Sequence, residues 1–296
     1  MFKYMKRQSP ADNIFDTIVI VLSLLILLII VYPLWFVVIA SFSDSHMLNL
    51  GRVWLWPRGF TFIGYEWTFA DSRIWLGYRN TVFYTIAGTA FSLLFTLPAA
   101  YALSRKDFPG RNFFMMFFVF TMFFGGGLIP TFLTVRSFSL VNTIWVLLIP
   151  FSVSIYHLII SRTFFASNIP LELLESAKMD GCSNTRFFVQ IVLPLSKAIV
   201  AVIALYCAVS QWNQFFLSLI YVRNRNLIPL QMVLREILLA SRAYEDSIVG
   251  SNTEYQRAAD IMKYSVIIVA TLPVMCFYPF IQKYFAKGVM IGSIKG

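Results

Sequence analysis

Six long apolar stretches dominate the pattern of hydrophobic and polar positions along the chain. Each is close to the ~20 residues that a helix needs to cross the hydrocarbon core of a bilayer. Apolar residues follow one another without alternation, which indicates helices. Because lipid offers the backbone no hydrogen-bond partners, such segments must satisfy their own polar groups. The predicted spans are 17–41, 80–103, 112–130, 140–161, 198–221 and 263–283.

Composition supports one membrane domain over residues 1–296. Hydrophobic residues make up 58% of the chain and charged residues 13%, against about 25% charged residues in a soluble protein. The three cysteines have no CxxC spacing, so we expect neither a disulfide framework nor a metal site. The predicted fold class is all-α, a polytopic membrane protein with six transmembrane helices.

The distribution of basic residues predicts an orientation in the membrane. The net charge is +10, but the basic residues lie between the apolar stretches and form no single stripe. With the N-terminus in the cytoplasm, thirteen of the 24 basic residues lie inside, three of them in the short connection 104–111. Short basic loops stay in the cytoplasm. This predicts that both termini and the loop 162–197 are cytoplasmic, and that loops 44–79 and 223–262 are extracytoplasmic.

The predicted cytoplasmic loop contains a short amphipathic helix followed by a second helical stretch. Pro170 favours the start of a helix, since proline fits the first turn, and Glu172 suits its positive end. Leu174 and Ala177 recur at helical spacing, and Gly181 is placed to end the helix in a left-handed cap. From the physics alone, an ordinary connector lying on the membrane surface is the alternative.

The same loop carries a motif that resembles the signature of binding-protein-dependent ABC importer permeases. That signature, EAA-x3-G-x9-I-x-LP, is matched at every spacing. The one departure is a serine where the second alanine is usual, and serine is also small. The matching residues are Glu175, Ser176, Ala177, Gly181, Ile191, Leu193 and Pro194.

Further segments resemble the carbohydrate-uptake branch of that family, so that the likeness runs from about the first span to the C-terminus. Asp180-Gly181-Cys182-Ser183 is similar to a DGA or DGC stretch of that branch, and Trp212-Asn213 to a Trp-Asn pair in the fifth span. The segments GGGLIP, LVNT and PLQMVLREIL also look like one of its subgroups. Ala198 departs from that subgroup, which usually has proline there.

The resemblance implies a permease subunit of an ATP-driven importer, which forms half of a translocation path for a carbohydrate. In the family, the short helix docks into a groove on an ATPase subunit, and a rigid helix can transmit the closure of the ATPases as a rigid-body motion. The coupling residues that it implies are Leu173, Leu174, Glu175, Ala177, Asp180 and Gly181, with Leu173 and Leu174 packing against the partner.

The resemblance also implies partners and a location. The partners are a second homologous permease forming a heterodimer, two ABC ATPase subunits, an extracytoplasmic solute-binding protein and the lipid of a bacterial cytoplasmic membrane, with no nucleic acid. The chain has no GxxxxGK[ST] segment, the cradle for nucleotide phosphates. ATP and Mg²⁺ are therefore expected on the ATPase subunits, and this chain is expected to carry no cofactor and no enzymatic activity.

Polar and aromatic side chains within the predicted spans are candidates for a substrate path. No charge interrupts an apolar stretch, which favours a neutral or hydrogen-bonding solute over an ion. Aromatic rings and amides suit sugars, whereas the alternative is that they hold neighbouring helices together. The candidates are Tyr84, Tyr156, His157, Gln211, Trp212, Asn213 and Gln214.

Two other segments invite interpretation. The glycine run 125–127 with Pro130 is expected to break the third helix or to mark its outer end. The outer loop 223–262 is the most charged part of the chain and contains a helix-like stretch at 230–241. It is a candidate surface for the solute-binding protein, with a solvated connector as the alternative.

Other function classes fit less well. An intramembrane enzyme would need a motif such as HExxH or GxSxG, and the sequence has neither. A channel or secondary transporter would not need the signature of the cytoplasmic loop. An ABC importer permease for a non-sugar solute remains the main alternative.

Overall fold

The computed structural model describes residues 10–245 and 262–276, which form helices joined by short turns, without a strand in those ranges. The all-helical fold class is confirmed. The helices are α1 Pro10–Ser41, α2 Ser45–Asn49, α3 Ile63–Ala70, α4 Ser72–Ser104, α5 Arg111–Phe123, α6 Leu128–Ser137, α7 Trp145–Leu148, α8 Ile155–Asn168, α9 Leu171–Met179, α10 Asn184–Phe187, α11 Leu193–Leu195, α12 Lys197–Trp212, α13 Phe216–Tyr221, α14 Leu230–Glu245 and α15 Met262–Cys276.

The chain divides into two compact units. The first consists of the described residues within Met1–Asp71 and Glu236–Ala270. Its α1 has 32 residues, about 48 Å at 1.5 Å per residue, and begins at Pro10, ahead of the predicted 17. Most side chains of α1 are exposed and apolar, as lipid-facing residues would be. Elsewhere in this unit, the buried hydroxyls of Thr68 and Ser265 lie 2.8 Å apart.

The second unit, Ser72–Arg235 with Thr271–Gly296, is built around α4. α4 begins at Ser72 instead of the predicted 80 and packs along α8 and α12. The charged residues at its start do not end the helix. Its 33 residues are longer than the roughly 30 Å hydrocarbon core, so a helix of this length has turns outside that core where charges are tolerated. The core of this unit joins side chains of α4, α8, α9, α10 and α12, including Tyr101, Phe165, Leu174, Phe187 and Ile203.

The predicted third span, 112–130, is two helices. α5 ends at Phe123 and α6 begins at Leu128, and the two axes are bent by 118°. Gly127 at the break has a φ of +79°, a conformation that glycine adopts without steric cost. Of the two expectations for the glycine run, a break in the helix is therefore the one observed.

The predicted fourth span, 140–161, is not one continuous helix. Only α7 and the first half of α8 are helical there. Pro150 lies between them. Asn142 has a φ of +63°, and its Oδ1 accepts hydrogen bonds from the backbone N–H groups of Arg223 and Asn224 at 2.9 and 2.7 Å. These long-range contacts hold residues 139–144 in turns and override the apolar pattern.

The predicted fifth helix, 198–221, is also interrupted, since α12 ends at Trp212 and α13 begins at Phe216. Upstream of α12, the segment Phe188–Val192 forms a π-helical turn. The helical segment Asn184–Leu195 and α12 are bent by 85°.

Among the described residues, α1 and α4 are long and apolar enough to cross a membrane, and each bent pair could form one further span. α15 is shorter, and the predicted span 263–283 continues outside the described residues. The count of six stays a prediction. In the loop predicted outside at 44–79, α2 and α3 are helical, and α14 begins at Leu230, where the helix-like stretch of the other outer loop was predicted.

Candidate functional site

The short helix of the predicted coupling motif is α9. It begins at Leu171, one residue after the predicted Pro170, which precedes it in an extended conformation. Glu172 lies in its first turn, where the helix dipole favours a carboxylate. Leu174 and Ala177 are only 3% and 7% exposed, and both pack into the core of the second unit. One face of α9 is thus fixed to the rest of the unit.

Gly181 ends α9 as predicted, with a φ of +72°. The N–H of Cys182 donates to the carbonyl of Ala177 at 2.9 Å, and the N–H of Gly181 donates to that of Lys178 at 3.0 Å. These two bonds define a Schellman motif, which satisfies the last carbonyls of the helix. Because a side chain at this φ is strained, the glycine makes the sharp turn after α9 possible.

The opposite face of α9 is exposed and carries both charge and an apolar tip. Its residues recur at i, i+3, i+4 and i+7, namely Glu172, Glu175, Ser176 and Met179. Met179 is 89% exposed. Sequence reasoning had selected Glu175 but not Met179 or Glu172, although the same helical spacing identifies all three. Such a protruding face suits docking into a groove on another subunit.

Leu173 and Leu174, two of the predicted coupling residues, lie on different faces of α9. Leu173 is 40% exposed and lies at the edge of the free face, as expected for a contact with a partner. The expectation that Leu174 packs against the partner is corrected, because the core of its own chain covers that side chain. Asp180 is exposed at the C-terminal end of α9. Leu174 and Ala177 therefore hold the helix in place.

A second contact ties α9 to the end of α4. The Nζ of Lys178 lies 3.5 Å from Oδ2 of Asp107, in the connection after α4. Both side chains are about half exposed, so this ion pair contributes little stability. On the other side of the connection, Arg162 of α8 donates from Nε to the carbonyl of Leu103 at 3.0 Å. α4, α8 and α9 thus form one packed element.

Among the candidate substrate-path residues, Gln211 of α12 faces α4 at Gly88. A Cβ at Gly88 would lie 2.6 Å from Nε2 of Gln211, so the glycine makes room for this amide. Oε1 of Gln211 is buried and has no hydrogen-bond partner within the described residues. A buried amide oxygen of this kind favours a ligand hydroxyl or water as its donor. Among the path candidates, Gln211 is the one with a buried side-chain oxygen that has no partner within the described residues.

The neighbours of Gln211 in sequence point elsewhere. Trp212 is 7% exposed and packs edge-on against Tyr78 at 6.2 Å between ring centroids. Asn213 donates from Nδ2 to the carbonyl of Val209 at 2.9 Å, which ends α12. Gln214 lies half-buried in the break before α13. The predicted polar cluster is thus spread over several directions by the end of the helix.

Tyr84, another path candidate, is buried and hydrogen-bonded to the segment before α14. It is 3% exposed, and its hydroxyl donates to the carbonyl of Leu227 at 2.9 Å. Beside it, Nδ2 of Asn80 donates to the carbonyls of Asn226 and Ile228 at 2.8 and 3.0 Å. These bonds fasten α4 to the segment before α14, with no room for a solute at the hydroxyl.

His157 and Tyr156 lie near the start of α8. The His157 ring stacks on Tyr206 at 5.6 Å, and its Nδ1 lies 3.6 Å from Sγ of Cys207. The same sulfur lies 2.9 Å from Oγ of Ser92, so a polar junction links α4, α8 and α12. Tyr156 is 55% exposed. This polar junction lies one helical turn from Gln211, since Cys207 and Gln211 are four residues apart on α12 and their neighbours Ser92 and Gly88 are four residues apart on α4. No group of three or more His, Cys, Asp or Glu residues gathers for a metal within the described ranges.

Comparisons with known proteins show the class to which this helical chain belongs. No family model matches the chain. Protein LplC of Bacillus subtilis is 38% identical and covers 98% of this chain and 98% of its own length. The polygalacturonan/rhamnogalacturonan transport system permease protein YtcP of the same organism is 39% identical, over 96% of this chain and 99% of its own.

A solved structure is similar over nearly the whole chain. It is a crystal structure of a bacterial ABC transporter involved in the import of the acidic polysaccharide alginate, with a TM-score of 0.86 and 32% identity, covering 95% of this chain and 100% of that one. The chain therefore belongs to the carbohydrate-uptake family of ABC importer permeases, which are non-catalytic membrane subunits that work with a partner permease, an ATPase and a binding protein.

Proposed function

We propose that α9 is the coupling helix of a carbohydrate importer and that it docks into an ATPase subunit through its free face. The observation that carries this proposal is the division of α9 into a buried face, which holds Leu174 and Ala177, and a free face that ends in Met179. A helix anchored on one side and capped by Gly181 can pass a push to α4 and α8 as a rigid body.

The full assembly follows from the same proposal. One such subunit pairs with a second, homologous permease, and the pair carries two ATPase subunits at its cytoplasmic face and a binding protein outside. Both termini are cytoplasmic, so the loop with α9 faces the ATPases. The charged outer loop with α14 is the surface offered to the binding protein.

The solute is a carbohydrate, an oligosaccharide or polysaccharide fragment. The names of YtcP and of the alginate importer support this class. Gln211, with its unpartnered buried oxygen, is the residue of this chain that we assign to the path, and Trp212 and His157 support the surrounding helices.

The test measures ATP hydrolysis by the assembled transporter with its binding protein. Fragments of polygalacturonan and alginate are compared with neutral oligosaccharides. We expect one of these glycan classes to stimulate hydrolysis, and Met179→Ser or Glu175→Gln to lower the stimulated rate by about tenfold, as loss of a hot-spot contact does.

Met116 of α5 provides the matched control. It is 66% exposed and lies outside α9, so Met116→Ser makes the same chemical change without touching the coupling face. Equal stimulation in the Met179 and Met116 variants would contradict the coupling role. No response to any glycan class, with ATPase subunits bound, would contradict the carbohydrate assignment.

A further inference from the structure

A groove runs along one face of α4 at the end nearest α9. Its cavity has a volume of about 880 Å³, and its α4 wall extends from Ala90 through Leu94, Leu97 and Tyr101 to Arg105. Arg105 directly follows α4, and it lies fifteen positions after Ala90, about 22 Å at the helical rise of 1.5 Å per residue. Side chains of α9, α10 and the π-helical turn form the opposite wall. We refer to this feature as the α4 groove.

Arg105 closes one end of the α4 groove and is not satisfied there. Its side chain is only 10% exposed. Nε and Nη2 have no hydrogen-bond partner within the described residues. The guanidinium lies 5.8 Å from the centroid of the Tyr101 ring, and Nε lies 3.8 Å from Oδ1 of Asp107. Buried donors of a cation are costly without acceptors, so this end of the groove favours an anion.

The local charges leave this anion site positive. Asp107 is the one carboxylate among the lining residues, and its other oxygen faces Lys178 at 3.5 Å. One carboxylate thus faces two cations. The polar side chains of Asn184 and Thr185 line the groove as well, so further hydrogen-bond donors are available near the wall.

The remaining groove is lined mainly by apolar side chains, including Leu93, Leu94, Leu97 and Leu193. An apolar channel with a cationic end matches an amphiphile with an anionic head. Its length of about 22 Å accommodates a headgroup and an acyl chain, since one leaflet is about half of the ~30 Å hydrocarbon core. Basic pockets between helices at the cytoplasmic surface bind anionic lipid headgroups.

We propose that the α4 groove binds an anionic phospholipid of the cytoplasmic leaflet, with its phosphate accepting hydrogen bonds from Arg105 and an acyl chain lying along α4. The inference rests on the proposed function for the orientation of α4. Because Leu174 of α9 also lines the groove, a bound lipid packs against the anchored side of the coupling helix and stabilises its position.

The experiment measures phosphatidylglycerol retained by the assembled transporter, using native mass spectrometry after titration in phosphatidylcholine nanodiscs. Arg105→Gln removes the charge and Arg105→Lys keeps it. We expect Arg105→Gln to weaken phosphatidylglycerol binding by about tenfold, the loss of a charge-assisted hydrogen bond. Arg105→Lys should fall between that variant and the parent protein.

Lys106 supplies the matched control, because it is adjacent, exposed and outside the groove lining. Lys106→Gln removes the same charge and should leave retention unchanged. Leu94→Trp, at a position 63% exposed in the apolar part of the groove, should reduce retention while leaving Arg105 intact. A fold defect would affect assembly, which the same mass spectra report.

Several outcomes would overturn the proposal. Equal retention in the Arg105 and Lys106 variants would show that the lipid binds elsewhere. Displacement of phosphatidylglycerol by excess inorganic phosphate, with Leu94→Trp silent, would identify a soluble anion as the occupant. Cross-linking of Leu94→Cys to a neighbouring subunit would show that a protein fills the groove. Lipid retention is measured without transport. A failure of the proposed function would therefore not change this measurement, and the two failures can be told apart.

Discussion

The two ends of α4 are built in opposite ways. At the end near Asn80, the polar groups of α4 are paired with the segment before α14: Asn80 and Tyr84 donate to its carbonyls, and the hydroxyl of Thr81 accepts from the N–H of Leu230 at 2.8 Å. At the end near Arg105, Nε and Nη2 of the guanidinium lack hydrogen-bond partners within the described residues and face an open groove. Paired polar groups fix a backbone, whereas unpaired ones offer a binding site.

The comparison separates structure from function along one helix. Residues at the Asn80 end and on the buried face of α9 should affect stability when they are changed, whereas the free face of α9 should affect coupling and Arg105 should affect lipid binding. Variants that break this division would show that the two ends are not independent.

Leu174→Ala should destabilise the unit around the Arg105 end most strongly. Leu174 is 3% exposed in the core, and removing a buried leucine costs about 2–5 kcal/mol. Leu173→Ala is the matched control, because its side chain is 40% exposed and surface changes cost about 0.5 kcal/mol or less. Thermal unfolding of the assembled transporter measures both.

The same pair tests the two faces of α9. We expect Leu173→Ala to keep the stability of the complex but to lower ATPase coupling, whereas Leu174→Ala lowers the melting temperature first. If Leu173→Ala destabilised the complex as much as Leu174→Ala, the distinction between an anchored face and a docking face would be wrong.

Gly77→Val should weaken the Asn80 end. A Cβ at Gly77 would lie 3.0 Å from Cα and 3.2 Å from the backbone nitrogen of Leu230, atoms that cannot rotate away. Overpacking of this kind costs about 1–3 kcal/mol. Gly125→Ala is the control, since its Cβ would meet nothing within 4 Å. Unchanged unfolding of Gly77→Val would show that the α4 contact with Leu230 can open without cost.

How much of the fold and of the candidate site could be predicted from the sequence depends on how far apart along the chain the interacting residues lie. α9 and its end at Gly181 follow from local rules, since the helix dipole, the apolar spacing and a glycine cap act within a few residues. The break at residues 125–127 is local for the same reason. The exposed Met179 was within reach of the same helical spacing.

The break near Asn142 was missed because distant contacts produce it. Asn142 is held by backbone groups about eighty residues away, at Arg223 and Asn224, and nothing in the apolar run 140–161 reveals that pairing. The bond of Tyr84 was missed for a similar reason, since its partner Leu227 lies 143 residues away along the chain. The groove at Arg105 likewise required the packing of α4 beside α9 and α10.

Tyr84→Phe should have the smallest effect and is the most discriminating change at the Asn80 end. It removes one hydroxyl that donates to Leu227 at 2.9 Å and should cost about 1 kcal/mol of stability, the usual net value of one hydrogen bond. The ring remains packed, so the transport rate and the glycan concentration for half-maximal ATPase stimulation should not change.

Gln211→Leu should give the opposite pattern, because we assign Gln211 to the substrate path and Tyr84 to the fastening of α4. It removes the buried unpartnered oxygen, so unfolding should change little while the half-maximal glycan concentration rises. Unfolding midpoints and glycan titrations of the two variants, measured side by side, decide between the roles. A shifted glycan response in Tyr84→Phe at unchanged stability would return Tyr84 to the substrate path, because a hydroxyl that only fastens α4 has no means to discriminate among glycans.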